Sequence, residues 1–420
     1  MNNPSYPVII IGCGPAAAGA SMFLSKAGVR HLILEKDSFP RDKICGDGCS
    51  GKTALVLRKA NPAYLDEIFA DGERFLPSFG VVFAAPNGKA IDIPFGTDKI
   101  VEGRPPGFTV KREIFDHFLF SKLQGPHTTI IQRATVTGID TSSGGYTVTY
   151  KDNSSPDGAL QSVQCSLLIG ADGDKGISRK KLLQQDVLSK SSFVGLRAYY
   201  DGVTGMHPQN FIELHFLKDA LPGYFWIFPL PNGQANIGIG MDSELVRKKK
   251  INLRELMLKA ISENPNIRHR FTHARITDKI YGWGLPMGVE KTRVSGDHFL
   301  MTGDAASLID PFTGEGIGNA LYSGMLAAEA AAKALEHNRF DAAFLQEHYG
   351  DVLFRRIGDE LKLSYTMQRL VRYPWLFDFV VNKAHKSPAL QQTISSMFAD
   401  LDMRALLRKP SFYWKILTNQ

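Results

Sequence analysis

No stretch of the 420 residues reaches the roughly 18 consecutive apolar positions that a membrane-crossing helix needs. The opening MNNPSYPVIIIG lacks a basic segment and a cleavage site, so it does not read as a secretory signal. Cysteine is scarce: Cys13, Cys45, Cys49 and Cys165 form no CxxC pair, which argues against a zinc site or a disulfide framework, and no other metal site is indicated. Low-complexity tracts and recognised nucleic-acid-binding motifs are also missing. A reducing cytoplasm is the expected setting.

Length favours two or three subdomains over one core. The net charge of +7 is unevenly placed, because residues 354–420 hold eleven Lys or Arg against five Asp or Glu. Apolar anchors interleave that tail, as in YPWLFDFVVNKAHK and RALLRKPSFYWKIL. Two readings stand: a helical region with a solvated basic face, or peripheral contact with an anionic membrane, here the inner membrane face.

VIIIGCGPAAAGASMFLSKAGVRHLILEK reads as strand, glycine turn, helix and second strand, a unit that binds dinucleotides. Gly12 permits the tight turn, Gly14 admits a pyrophosphate, Pro15 and Ala16 open the helix, and Ala17 stands where a third glycine often packs. Glu35 closes the second strand, placed to accept from ribose hydroxyls, with Lys36 beside it. These residues fit NAD or FAD. Two later stretches narrow the choice: LLIGADGDKGISRKKL, with Asp172, and FLMTGDAASLIDPFTGEGIGNALYSGML, with Gly303, Asp304, Pro311, Gly314, Gly316 and Ile317. A second fingerprint for a nicotinamide domain is lacking.

In order and spacing, these blocks resemble the FAD enzymes of the p-hydroxybenzoate hydroxylase fold over residues 7 to about 335. The resemblance implies FAD, with Asp304 on a ribityl hydroxyl, the loop from Pro311 to Gly318 beside the isoalloxazine, and Arg112 of TVKREIFDHFL near the pyrophosphate. The loop DSFPRDKICGDGCSG resembles the Arg-x-Lys-x-Cys-Gly-Gly segment of geranylgeranyl reductases, matching at Arg41, Lys43, Cys45 and Gly46; Asp47 stands where glycine is usual. Cys45 is a candidate proton donor, since a thiol near its ordinary pKa of about 8.5 stays protonated at neutral pH. Its alternative is a small buried hydrophobe.

LPGYFWIFPLPNGQANIGIGM reads as two strands around a PNG turn, and alternation sends Tyr224, Trp226 and Phe228 to one face and Phe225 and Ile227 to the other. By alternation alone this is a core strand. It is also similar to the Tyr-x-Trp-x-Phe-Pro motif of geranylgeranyl reductases, which implies substrate contact for Tyr224, Trp226, Phe228 and Pro229, and a catalytic-site position for Tyr224 and Trp226 beside Cys45. YGWGLPMG, residues 281–288, reads either as a further glycine and aromatic strand edge contributing to the cavity or, the favoured reading, as a strand-to-loop transition.

The expected fold class is mixed α/β, organised as a Rossmann-like FAD-binding domain (1–75, 105–185, 290–335), an inserted, mostly antiparallel substrate sheet (76–104, 186–289) and a helical C-terminal region (336–420). The expected function is FAD-dependent reduction of isoprenoid double bonds, with NADPH, NADH or a reduced protein as electron donor. A flavin-dependent monooxygenase or halogenase acting on an aromatic or carrier-bound substrate is the alternative, though Tyr224 and Phe228 replace the Trp and Ile of the halogenase motif. A non-enzymatic flavin or lipid carrier is the third reading.

Overall fold

The computed structural model describes residues 4–95, 100–155, 158–183, 192–384, 387 and 390. The VIII run becomes the strand Ser5–Ile11, and it is apolar at every position from Val8 because both of its faces are covered. It lies centrally in a sheet ordered Phe299–Met301, Leu160–Gly170, Ser5–Ile11, His31–Leu34, Thr128–Ile131, with each of these neighbours parallel. Ser295–Gly296 and the hairpin of Ala134–Ser142 and Gly145–Asp152 extend it to eight strands. The helices Pro15–Lys26 and Ile317–His337 pack together on this sheet, both rich in alanine.

A second eight-stranded sheet is ordered Arg275–Ile276, Ser192–Asp201, Gln234–Asp242, Tyr224–Pro229, Ile212–His215, Gly80–Ala84, Ala90–Pro94, with Tyr281–Pro286 also paired to Ser192–Asp201. Its pairs are antiparallel except Ile212–His215 with Gly80–Ala84. A small sheet of Gly48–Cys49, Gly107–Thr109 and Leu76–Ser78 lies in the chain that links the two.

The alternation expected for Tyr224–Pro229 holds. Phe225 and Ile227 enter the core beneath the helix Leu253–Glu263, while Trp226, Phe228 and the half-buried Tyr224 join a separate aromatic cluster with Phe216 and Phe312. Beyond Ile317–His337 the chain continues through helices that include Asp359–Leu370 and Pro374–Ala384. Two buried contacts fix the first of these: Ser364 Oγ to Asp310 Oδ2 at 2.6 Å and Lys52 Nζ to Glu360 Oε1 at 3.0 Å. Among the described residues no helix is long and apolar enough to cross a membrane.

Candidate functional site

One cavity of about 970 Å³ runs from the glycine turn to the aromatic strand. At its first end Gly12 adopts φ +92°, and a Cβ there would come within 2.6 Å of the Ala171 carbonyl oxygen, so the position requires glycine. Gly14 faces open space: an added Cβ would meet only Arg41, at 3.9 Å. That leaves the backbone and the first amides of Pro15–Lys26 open to an anionic group. Glu35 is buried beside them, its carboxylate accepting from the Cys13 amide at 2.6 Å and the Asp37 amide at 2.9 Å, with lone pairs left for hydroxyl donors.

The cavity wall then passes Ala16, Lys36, Arg41, Asp172, Asp304, Gly314, Gly316 and Ile317. Of the positions expected to hold the cofactor, Ala17, Gly303 and Pro311 lie behind that wall. Gly303 is wedged where a Cβ would sit 3.0 Å from that of Ala16, which assigns it to packing. Asp304 Oδ2 pairs with Lys43 Nζ at 3.2 Å. Asp172 accepts from the Ser178 amide at 3.0 Å and from the Ser178 hydroxyl, so its carboxylate closes its own turn while lining the cavity.

Where the two sheets meet, the KICGDG loop crosses the cavity. Cys45 and Gly46 line it, and Gly46 lies against Trp226 and Phe228. Arg112 is buried with its guanidinium held by Asp116 through two 2.9 Å bonds, and Arg41 reaches the same carboxylate at 2.9 Å. Burial alone would raise Asp116, but the Arg112 and Arg41 charges bring it below the usual carboxylate range. Burial pushes the Cys45 thiol up; the Arg112 guanidinium and the Asp47 amide oppose it, and the Asp47 charge reinforces it. The thiol is therefore held protonated beside two groups able to stabilise its conjugate base. Cys13, Cys49 and Cys165 are buried and also raised, by burial first.

The far end is apolar. Trp226 and Phe228 face Ile212, Leu214 and Phe95, while Tyr224 donates to the Thr313 carbonyl at 2.7 Å and so ties this strand to the glycine loop. Trp226 lies flat over Gly238 of the next strand, where a Cβ would come within 2.1 Å of the ring. Its Nε1 donates to Asn236 Oδ1 at 2.8 Å. Pro229 does not reach the cavity; its carbonyl accepts from Thr109 at the sheet edge.

Several wall residues escaped the sequence reading. YGWGLPMG follows the strand-edge reading over the favoured strand-to-loop one: Tyr281–Pro286 is a paired strand, and its Trp283 and Leu285 line the cavity. Glu315 is half-buried in the glycine loop, accepts from the Gly318 amide at 2.6 Å, and its carboxyl is pushed up by desolvation. Lys52 and Glu360 meet at the wall from opposite ends of the chain. A buried lysine in GKTALVLRK carries no signal, since such residues ordinarily face solvent.

The family described as FAD binding domain matches residues 5–342. The digeranylgeranylglycerophospholipid reductase of Methanococcus vannielii is 26% identical over 373 residues, covering 87% of each chain. The menaquinone reductase of Mycolicibacterium smegmatis is 27% identical over 376 residues, again 87% of each. A geranylgeranyl bacteriochlorophyll reductase-like protein of Thermoplasma acidophilum superposes with a TM-score of 0.77 at 21% identity, over 100% of this chain and 99% of that one.

Proposed function

Because the chain belongs to the FAD binding domain family and is an FAD-dependent oxidoreductase, we propose that it reduces carbon–carbon double bonds in a geranylgeranyl-type isoprenoid chain. The observation that carries this reading is the placement of a protonated thiol, Cys45, between the glycine turn and an aromatic wall within one cavity. The open backbone at Gly14 and the buried Glu35 fit the pyrophosphate and ribose of FAD, with Arg41, Asp304 and the Gly314–Gly316 loop further along the same wall. Bound and reduced, FAD supplies hydride.

The chain's own residues supply the rest. Tyr224, Trp226 and Phe228 bury the prenyl chain at about 25 cal/mol per Å² of apolar surface and ask no polar partner of it. Cys45 Sγ delivers the proton that completes addition across the double bond, and the thiolate left behind faces the Arg112 guanidinium and the Asp47 amide. Electrons reach the flavin from NAD(P)H or a reduced protein that docks transiently. The test is the mass of a geranylgeranyl lipid recovered after anaerobic incubation with dithionite-reduced, FAD-loaded protein. A gain of about two mass units per double bond is expected. An unchanged lipid, with oxygen or halide incorporated into an aromatic substrate in air, assigns the oxygenase chemistry instead.

Delivery of such a substrate gives the Pro374–Ala384 helix a role. Its Phe377 packs on Phe216, 4.4 Å between ring centroids, beside the aromatic cluster. Its outer side and the preceding turn expose Trp375 (69%), Leu370, Tyr373 and Phe379, with Arg372 and Lys383 nearby. This arrangement suits contact with an anionic membrane. Replacing Trp375 and Phe379 with alanine should weaken co-sedimentation with phosphatidylglycerol vesicles, and unchanged binding would dispose of the idea. The remainder of the basic tail, Trp414 included, lies outside the described residues.

A further inference from the structure

Asp47 occupies the position where the sequence resemblance expects glycine, and the backbone keeps the glycine conformation, with φ 67°. Aspartate tolerates this left-handed region better than most side chains. Its carboxylate is fully buried and occupied on both oxygens: Oδ1 accepts from the Arg112 amide at 3.2 Å and Oδ2 from Asn236 Nδ2 at 2.8 Å. Asn236 Nδ2 also donates to the Cys45 carbonyl at 2.8 Å, and its Oδ1 accepts from Trp226 Nε1. The indole N–H only donates and a carbonyl only accepts, so the amide of Asn236 has one permitted orientation. That orientation demands an acceptor at Asp47.

We propose that Asp47, as a carboxylate, is a positioning residue that ties Cys45 and Trp226 into one unit through Asn236. The unit joins the proton donor, in the KICGDG loop, to the wall of the lipid cavity, on the Tyr224–Pro229 strand. Protonating Asp47 weakens it as an acceptor for Asn236 and removes a negative charge that favours the Cys45 thiol over its thiolate. Burial first, against Asn236, Tyr199, Arg197 and Arg112, pushes the Asp47 carboxyl up to about 6.

The groups around it come from three sides. Arg112 approaches from the start of its helix and Cys45 from the same loop, while Arg197 and Tyr199 face it from the Ser192–Asp201 strand. The Tyr199 hydroxyl closes no hydrogen bond of ordinary geometry while facing Asp47, and Arg197 is held by Asp42 and Asp278, each at 2.6 Å. This inference rests on the proposed reductase reading only for the role of the proton, and its test avoids turnover.

The experiment follows alkylation of Cys45 by iodoacetamide, read by peptide mass, from about pH 5 to about pH 8, together with acrylamide quenching of Trp226, taken as the difference from Trp226→Phe. In wild type the logarithm of the rate should rise with a flattened segment near the Asp47 transition. Asp47→Asn and Asp47→Gly should give a straight line and react roughly tenfold faster at neutral pH, the equivalent of one pKa unit. Asn236→Ala, which keeps the carboxylate, should retain the flattened segment but expose Trp226 to quencher, as the Asp47 variants do. A straight wild-type profile, or Trp226 quenching unmoved by all three variants, overturns the proposal. Near-UV circular dichroism identifies any variant that fails to fold, and Asn236→Ala then tests the Trp226 link alone. A flattened segment in a protein that reduces no lipid leaves this inference standing and removes the functional reading.

Discussion

The two sheets build their shares of the cavity from different materials. The parallel sheet presents backbone: a glycine turn at φ +92°, helix amides, and carboxylates already fixed by amides, as Glu35 is. The antiparallel sheet presents rings: Trp226 over Gly238, Phe228 beside Gly46, and Phe216 against Phe312 at 5.9 Å. Backbone sites recognise a fixed polar shape and tolerate little change. Ring walls accept any flexible apolar chain of suitable girth, which is why the first half speaks clearly of its ligand and the second names only a class.

Substitutions should expose that contrast. The largest loss is expected from Gly12→Val, which strains a positive φ and drives a side chain into Ala171, costing about 3 kcal/mol or more and abolishing FAD retention. Urea unfolding and flavin absorbance check both effects. Lys52→Met should follow, at about 3 kcal/mol, because it removes the cation that pairs with the buried Glu360 carboxylate. On the ring side, Trp226→Phe keeps the wall but orphans Asn236 Oδ1, for about 1–3 kcal/mol in unfolding and a raised KM for lipid. A backbone half that tolerates Gly12→Val better than the ring half tolerates Trp226→Phe would reverse the comparison.

Asp47 lies at the seam and carries its own pH signature. Burial pushes its carboxyl up to about 6, above the ordinary aspartate value of 3.8, so its neutral form is the one the fold favours. The ionised carboxylate thus costs about 3 kcal/mol above that folded value, a cost that disappears as pH falls toward the unfolded one. Wild type minus Asp47→Gly, measured by urea unfolding across that interval, should show wild type gaining relative stability toward acid. A flat difference would place the carboxylate in a far more polar setting. The smallest effect is expected at Trp375→Ala: within about 0.5 kcal/mol in stability, since the ring already faces solvent.

Legibility followed the same division. The first βαβ unit could be read almost to the residue, because an unbroken apolar strand, a glycine turn and an acidic strand end constrain one another. Alternation placed Tyr224, Trp226 and Phe228 on one face. The segment holding Trp283 could be read two ways because GWGLP has too few apolar residues to show a period, and its pairing with Ser192–Asp201 is long-range. Asp47 stood out as a departure from the motif, but its burial and that of Lys52 were not legible, because a charge in a loop or a helix reads as solvated and only the tertiary partners Asn236 and Glu360 justify burying them. The contact of Lys52 with Glu360 joins positions far apart in the chain, beyond any local pattern.

The Pro374–Ala384 helix meets the antiparallel sheet through Phe377 and through two polar contacts at its margin, Asn87 amide to Asp378 at 3.2 Å and Lys89 to Asn382 at 3.0 Å. Ring contacts have no register: a displaced phenyl loses dispersion gradually, whereas a displaced hydrogen bond is lost outright. The helix is thus a cover held by packed apolar groups and two exposed hydrogen bonds, whereas Ser5–Ile11 is hydrogen-bonded to a strand on each side. Amide exchange should therefore run faster along this helix than along Ser5–Ile11, and filling the cavity with lipid should slow it by recruiting the cover's inner rings as part of the ligand's own packing.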